Sequence, residues 1–159
     1  MKIIFLDIDG VLNTQRHVIN QYISNGHRKT VGMDRNFDPI CLKYLKEIIE
    51  KTDAHIVISS TWRFWAKNPT HYRWQAILEN LGSIGIADRI VGTTEILGTT
   101  RGVEIREWLK KNDVESFVIL DDDRDMEEFT EKKLAKCNFK TGITEVVKNK
   151  AIKILNRVI

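Results

Sequence analysis

The stretch from Lys2 to Asn13 constrains the fold more than any other. An unbroken apolar run, Ile3-Ile4-Phe5-Leu6, meets Asp7-Ile8-Asp9 and then Gly10. A strand apolar on every residue, rather than on alternate ones, is covered on both faces, as in a parallel sheet flanked by helices. Residues 2–7 therefore read as a central parallel strand. Ionised carboxylates at the edge of a core are costly unless something pairs with them. Two of them one residue apart call for a cation or a phosphoryl group nearby. A second acidic cluster, Asp121-Asp122-Asp123-Arg124-Asp125, follows another apolar run, Phe117 to Leu120. Together the two clusters point to metal-assisted phosphoryl transfer.

The remaining pattern alternates strands with helices. Residues 14–37 are polar and irregular, with Arg16, His17, Arg28, Lys29 and Arg35, and read as a long loop or small flap. Asp38-Pro39 opens a helix, Asp as N-cap and Pro in the first turn, running to about Thr52 on an apolar face that includes Leu42, Leu45 and Ile49. His55 to Ser59 is a second buried strand. Thr70 is expected to cap a helix that reaches Leu81, with Gly82 as its stop. Arg89 to Val91 is a short strand. Thr100 caps a helix whose buried side carries Val103, Ile105, Trp108 and Leu109. Ser116 to Leu120 is another strand, Asp125 to Phe129 a short helical piece, and Lys133 to Asn138 a weak edge strand. Thr144 caps a last amphipathic helix with Val147, Ala151, Ile154, Leu155 and Val158. Such alternation specifies an α/β fold with a mostly parallel sheet. In such sheets ligands bind beyond the carboxyl ends of the strands, where Asp7/Asp9, Ser59/Ser60 and Asp121/Asp122 stand.

At 159 residues the chain has the length of one domain with a substantial core. We read residues 1–159 as a single domain, with the flap around 14–37 as its insertion. The net charge of +3 is compatible with a polyanionic partner. Cys41 and Cys137 lie in apolar contexts without metal-ligand spacing and read as reduced core cysteines. No signal peptide or membrane-spanning run is visible, so the expected location is cytoplasmic. His17, His27 and His71 lack ligand spacing and read as surface residues. Trp62, Phe64, Trp65, Tyr72 and Trp74 are interleaved with Arg63, Lys67, His71 and Arg73. That pattern suits base stacking with backbone contacts, and equally a small aromatic core beneath exposed cations.

The motifs resemble those of the haloacid dehalogenase (HAD) superfamily. Asp7-Ile8-Asp9-Gly10 matches its first motif, and the strand ending at Ser59 its second. Arg101 near a helix start matches its third, and the acidic group Asp121, Asp122, Asp125 its fourth. They occur in family order and frame about residues 2–126. Ser59-Ser60-Thr61-Trp62-Arg63, the Arg101–Leu109 helix and Leu120-Asp121-Asp122-Asp123 further resemble the small HAD domains of RNA-repair proteins. Those are related to the phosphatase half of polynucleotide kinase–phosphatases. The resemblance implies a three-layer Rossmann-like fold and a Mg²⁺-dependent phosphatase.

On this reading Asp7 is the nucleophile and Asp9 the general acid and base. Gly10 lets the chain turn away beside the phosphate. Ser59 donates to a phosphoryl oxygen, with Ser60 in reserve should the register slip. Arg101 holds an anion against a helix start, and Arg63 is a second phosphate contact. The implied Mg²⁺ ligands are Asp7, the Asp9 carbonyl, and Asp121 or Asp122, with Asp125 close by.

Substrate class follows from what the spacing omits. About fifty residues separate the first two motifs and about forty the next two, and a core helix occupies part of each gap. Neither leaves room for a cap domain of ordinary size. An open site favours a phosphorylated nucleic-acid end, foremost a 3′-phosphate, with a basic flap to contact the backbone. The alternatives are a phosphatase of nucleotides or other small phosphoesters, and a non-catalytic module that binds phosphorylated ends. No Gly-rich loop followed by Lys-Ser/Thr is present, so no kinase activity is expected of this chain.

Overall fold

The apolar runs pair side by side. The structure, a computed structural model, describes residues 1–28 and 35–157. Lys29, one of the flap cations, and Val158, at the end of the last helix, lie outside the described residues. Five strands form one sheet: β1 (Lys2–Leu6), β2 (His55–Ile58), β3 (Ile90–Thr93), β4 (Ser116–Asp121) and β5 (Leu134–Lys136). Their order is β3-β2-β1-β4-β5, and every pairing is parallel. The strand read as central is central, and the weak candidate at 133–138 is a parallel edge strand.

Helices cover both faces, which is why the inner strands are apolar throughout. Ile4 and Leu6 face one side with Ile56, Ile58, Val118 and Leu120. There they meet Leu45 and Ile49 of α2 (Pro39–Thr52), Ile77 and Leu81 of α3 (Tyr72–Ser83) and Ile154 of α6 (Glu145–Leu155). Ile3 and Phe5 face the other side with Val57 and Ile119, against Ile105, Trp108 and Leu109 of α4 (Arg101–Lys110). Phe5 is gripped edge-on by Trp108 and Phe117 at 5.4 and 5.7 Å. This is a three-layer Rossmann-like α/β architecture.

Four readings of local structure change. The stretch read as a loop or flap begins with a helix, α1 (Gln15–Ser24), capped by the Thr14 hydroxyl. Val18, Ile19, Tyr22 and Ile23 recur at helical spacing along it, but none of its residues is buried. Its start is moored by Asp38, which accepts from Thr14 at 2.7 Å and Arg16 at 2.6 Å while capping α2 through the Ile40 amide. Arg16 is thus a structural cation. Second, α3 is capped by His71, whose Nδ1 accepts from the Arg73 amide, and not by Thr70. Third, Gly82 lies inside the last turn of α3, and the chain reverses at Gly85, φ +76°. The piece read at 125–129 becomes a 3-10 turn, Glu127–Phe129, followed by α5 (Thr130–Lys133).

Both cysteines are buried and free, and burial pushes the Cys41 thiol up to about 12. Among the described residues no helix is long and apolar enough to cross a membrane.

Candidate active site

Sheet geometry alone assembles the acidic centre. Side chains alternate along a strand, and residues in register across a parallel sheet share a face. Phe5, Val57 and Ile119 lie on the α4 side, so the next residues in that phase, Asp7, Ser59 and Asp121, emerge on the same side at the carboxyl edge. The ladder continues that far, with the Asp7 amide donating to Leu120 and the Ser59 amide to Leu6. Carboxylate oxygens of Asp7, Asp121 and Asp122 come within 4.8 Å of one another. Among the described residues, that is the group able to hold a metal ion. Asp125 falls outside it; its carboxylate accepts from the Glu127 amide and shapes the turn.

Arg101 enters from above. Thr100 caps α4 and places Arg101 in its first turn, where the guanidinium meets Asp121 at 2.6 Å and Asp7 at 3.3 Å. The carboxylates answer the conflict between a cation and the positive end of the helix. The approach of α4 depends on Gly102, since a Cβ there would lie 2.7 Å from the Met126 backbone. One guanidinium against three carboxylates leaves two negative charges, and the titration behaviour reflects it. Burial, then the Asp121 charge, raises Asp7 to about 7 against the pull of Arg101. Burial and Asp121 raise Asp122 as well.

The donor set fits a divalent hard cation. It is all oxygen and carries an uncompensated charge of the right sign and size. The surroundings also fit a phosphoryl group. Ser59 is fully buried, and its hydroxyl has no partner among the described residues. Ser60 is engaged instead, its hydroxyl accepting from the Trp62 amide. Gly10, at φ +78°, closes the floor, and a Cβ there would sit 2.3 Å from Asp122 Oδ2. A cavity of about 550 Å³ opens over Asp7, Asp121, Asp122 and Arg101.

Asp9 is exposed beside this centre and held from two sides. Its Oδ2 accepts from Trp62 Nε1 at 3.0 Å and its Oδ1 from Asn13 Nδ2 at 3.2 Å. The aromatic segment thus divides. Trp62 is a core residue with its indole N–H turned to Asp9, and the Arg73 guanidinium lies 5.5 Å from its ring centroid. Trp74 packs against the core, whereas Phe64 stays exposed.

Arg63 requires a correction. Expected to touch phosphate, it is buried, and its five N–H groups go to the carbonyls of Thr94, Ser59, Ser60 and Glu95 and to Glu104 Oε2 at 2.5 Å. Glu104 also accepts from the Leu97 amide. The pair therefore ties the Ser59–Ser60 turn to the segment after β3 and to α4. The sequence gives no sign of Glu104, Thr94 or the Trp62–Asp9 bond, because each partner comes from a distant segment.

Acids at the carboxyl edge of a parallel sheet, a serine on the neighbouring strand and a guanidinium on the next helix are arranged as the HAD motifs lead one to expect. The family described as the HAD domain in Swiss Army Knife RNA repair proteins matches residues 3–147, and the chain belongs to it. No curated protein and no solved structure matches the chain.

Proposed function

We propose that residues 1–159 form one HAD-like domain that acts as a Mg²⁺-dependent phosphatase on phosphorylated nucleic-acid ends, foremost 3′-phosphates. The observation that carries this reading is the convergence of Asp7, Asp121, Asp122 and Arg101 under one cavity, with Asp9, two residues after Asp7, held by Trp62 and Asn13. Membership in a family of RNA-repair domains supports the nucleic-acid end as substrate.

The chain's own groups account for both halves of the reaction. An Asp7 oxygen attacks phosphorus, and the bond from phosphorus to the ester oxygen breaks, leaving an aspartyl-phosphate. Asp9 gives a proton to the departing alkoxide. The resulting Asp9 carboxylate then takes a proton from the water that attacks the aspartyl-phosphate, and inorganic phosphate leaves with Asp7 restored. Trp62 and Asn13 hold Asp9 for both transfers. Ser59 donates its free hydroxyl to a phosphoryl oxygen, and Arg101 offsets charge on the transferring group. A Mg²⁺ ion held by Asp7, Asp121 and Asp122 would neutralise the carboxylates and the phosphate they must approach.

The test is phosphate release from a 3′-phosphorylated oligonucleotide with Mg²⁺, compared with a 5′-phosphorylated one and free nucleotides. Release that disappears with chelator and in Asp7→Asn supports the reading. Equal turnover of nucleotides and oligonucleotides removes the polynucleotide from it, and release undiminished in Asp7→Asn refutes it.

A further inference from the structure

We infer that the groove between the 3-10 stretch Thr61–Lys67 and the end of β3 is a nucleobase subsite. It would hold the base nearest the phosphorylated end. The inference rests on the phosphatase reading for its orientation.

The groove measures about 740 Å³ and shares the lining residues Arg63 and Ile96 with the cavity over Asp7, so the two adjoin. That volume lies within the range of small-ligand sites. Its aromatic wall is Phe64 and Trp65, set edge to face at 85° with centroids 5.1 Å apart. Trp65 is immobilised by His71, stacked at 3.5 Å and 6°. Phe64 is 62% exposed although it stands on a segment pinned by Arg63. An aromatic ring held rigid in water beside a phosphate site suits stacking, which every base permits.

The opposite wall supplies polar groups. Thr94 is 2% exposed, and its hydroxyl has no partner among the described residues. Lys67 adds a positive charge at the exposed lip, suited to a backbone phosphate. An apolar peptide would leave Lys67 unused; a nucleotide end uses the ring and the charge together. The clamp that sets Ser59 also sets this wall, because Arg63 bonds both the Ser59 and Thr94 carbonyls.

The experiment measures binding apart from turnover, by fluorescence anisotropy of a labelled 3′-phosphorylated oligonucleotide in the Asp7→Asn background. A matched oligonucleotide has an abasic terminal nucleotide. Phe64→Ala should weaken binding of the base-bearing oligonucleotide by roughly five- to a hundredfold, the effect of one lost stacking contact. Binding of the abasic one should be the same with and without Phe64. Equal binding of the base-bearing oligonucleotide by both proteins overturns the subsite. So does an equal loss for both oligonucleotides. A concentration-dependent dimer dispersed by Phe64→Ala, without any effect on oligonucleotide binding, would make the groove a contact between copies and also overturn it. Failure of every substrate to release phosphate would refute the phosphatase reading, while the binding arm still decides the groove.

Discussion

Arg63→Met tests whether the Arg63–Glu104 clamp holds the catalytic edge of the sheet. The substitution keeps an unbranched side chain of similar reach and removes all five donors. Glu104, 5% exposed, loses its counter-charge, and the carbonyls of Ser59, Ser60, Thr94 and Glu95 lose a partner. Breaking a buried ion pair by deleting one member costs about 3–5 kcal/mol, because the other charge is left unpaired. For a chain of this length each kcal/mol is worth about 2–4 °C, so the melting temperature should drop by about 6–20 °C. Urea unfolding gives the free energy directly. The double variant Arg63→Met/Glu104→Met should recover at least about 1 kcal/mol of that loss, since no buried charge remains. Phosphatase kcat should fall in both variants at a temperature where they are folded, because the Ser59–Ser60 turn is released. A loss below about 1 kcal/mol, or a double variant as unstable as the sum of the singles, would refute the clamp.

Two other perturbations address the carboxylates. The native Asp7 carboxyl, raised from an ordinary 3.8 to about 7, holds its proton where the unfolded chain has lost it. Metal-free stability is therefore full below pH 3.8 as far as Asp7 is concerned, falls as pH rises through that window and levels off above about 7. Asp7→Asn should remove this component of the slope and melt higher than wild type at pH 8 with chelator present; an unchanged profile in urea titrations would count against the buried charge. Trp62→Phe keeps the ring in the core and deletes the N–H to Asp9. It should lower kcat roughly tenfold or more and shift the pH–rate profile, with little change in KM, as expected for loss of a hydrogen bond to an ionisable group; unchanged kcat and pH profile would remove Trp62 as a positioning residue.

What was legible in the chain was whatever leaves a local signature. The inner strands announced themselves because helices cover both faces, and α2 and α4 because Asp38 and Thr100 are caps beside apolar periodicity. The acidic centre was legible because its members end neighbouring strands, and parallel register does the rest. α1 was misread as a flap although Thr14 caps it and Val18, Ile19, Tyr22 and Ile23 fall at helical spacing, because the polar residues and cations around that short stripe mask it. His71 was missed as a cap because a ring nitrogen does there what a hydroxyl usually does. Arg63 was misread for a different reason. A cation beside a phosphate motif has the same local sequence whether it meets phosphate or a carboxylate, and its partner Glu104 lies on α4, 41 residues away. The Trp62–Asp9 bond spans 53 residues and is equally silent.

The central claim is that Asp7 is the atom-bonding nucleophile, and the covalent intermediate tests it most directly. Asp9→Asn lacks the group that activates water, while p-nitrophenyl phosphate carries a leaving group that needs no protonation. Quenched rapidly with Mg²⁺ and this substrate, Asp9→Asn should yield a hydroxylamine-sensitive phosphoryl group on the peptide containing Asp7, seen by mass spectrometry and absent from Asp7→Asn. Phosphate release by wild type with no phosphoryl group on Asp7 in any trapped sample would contradict the account.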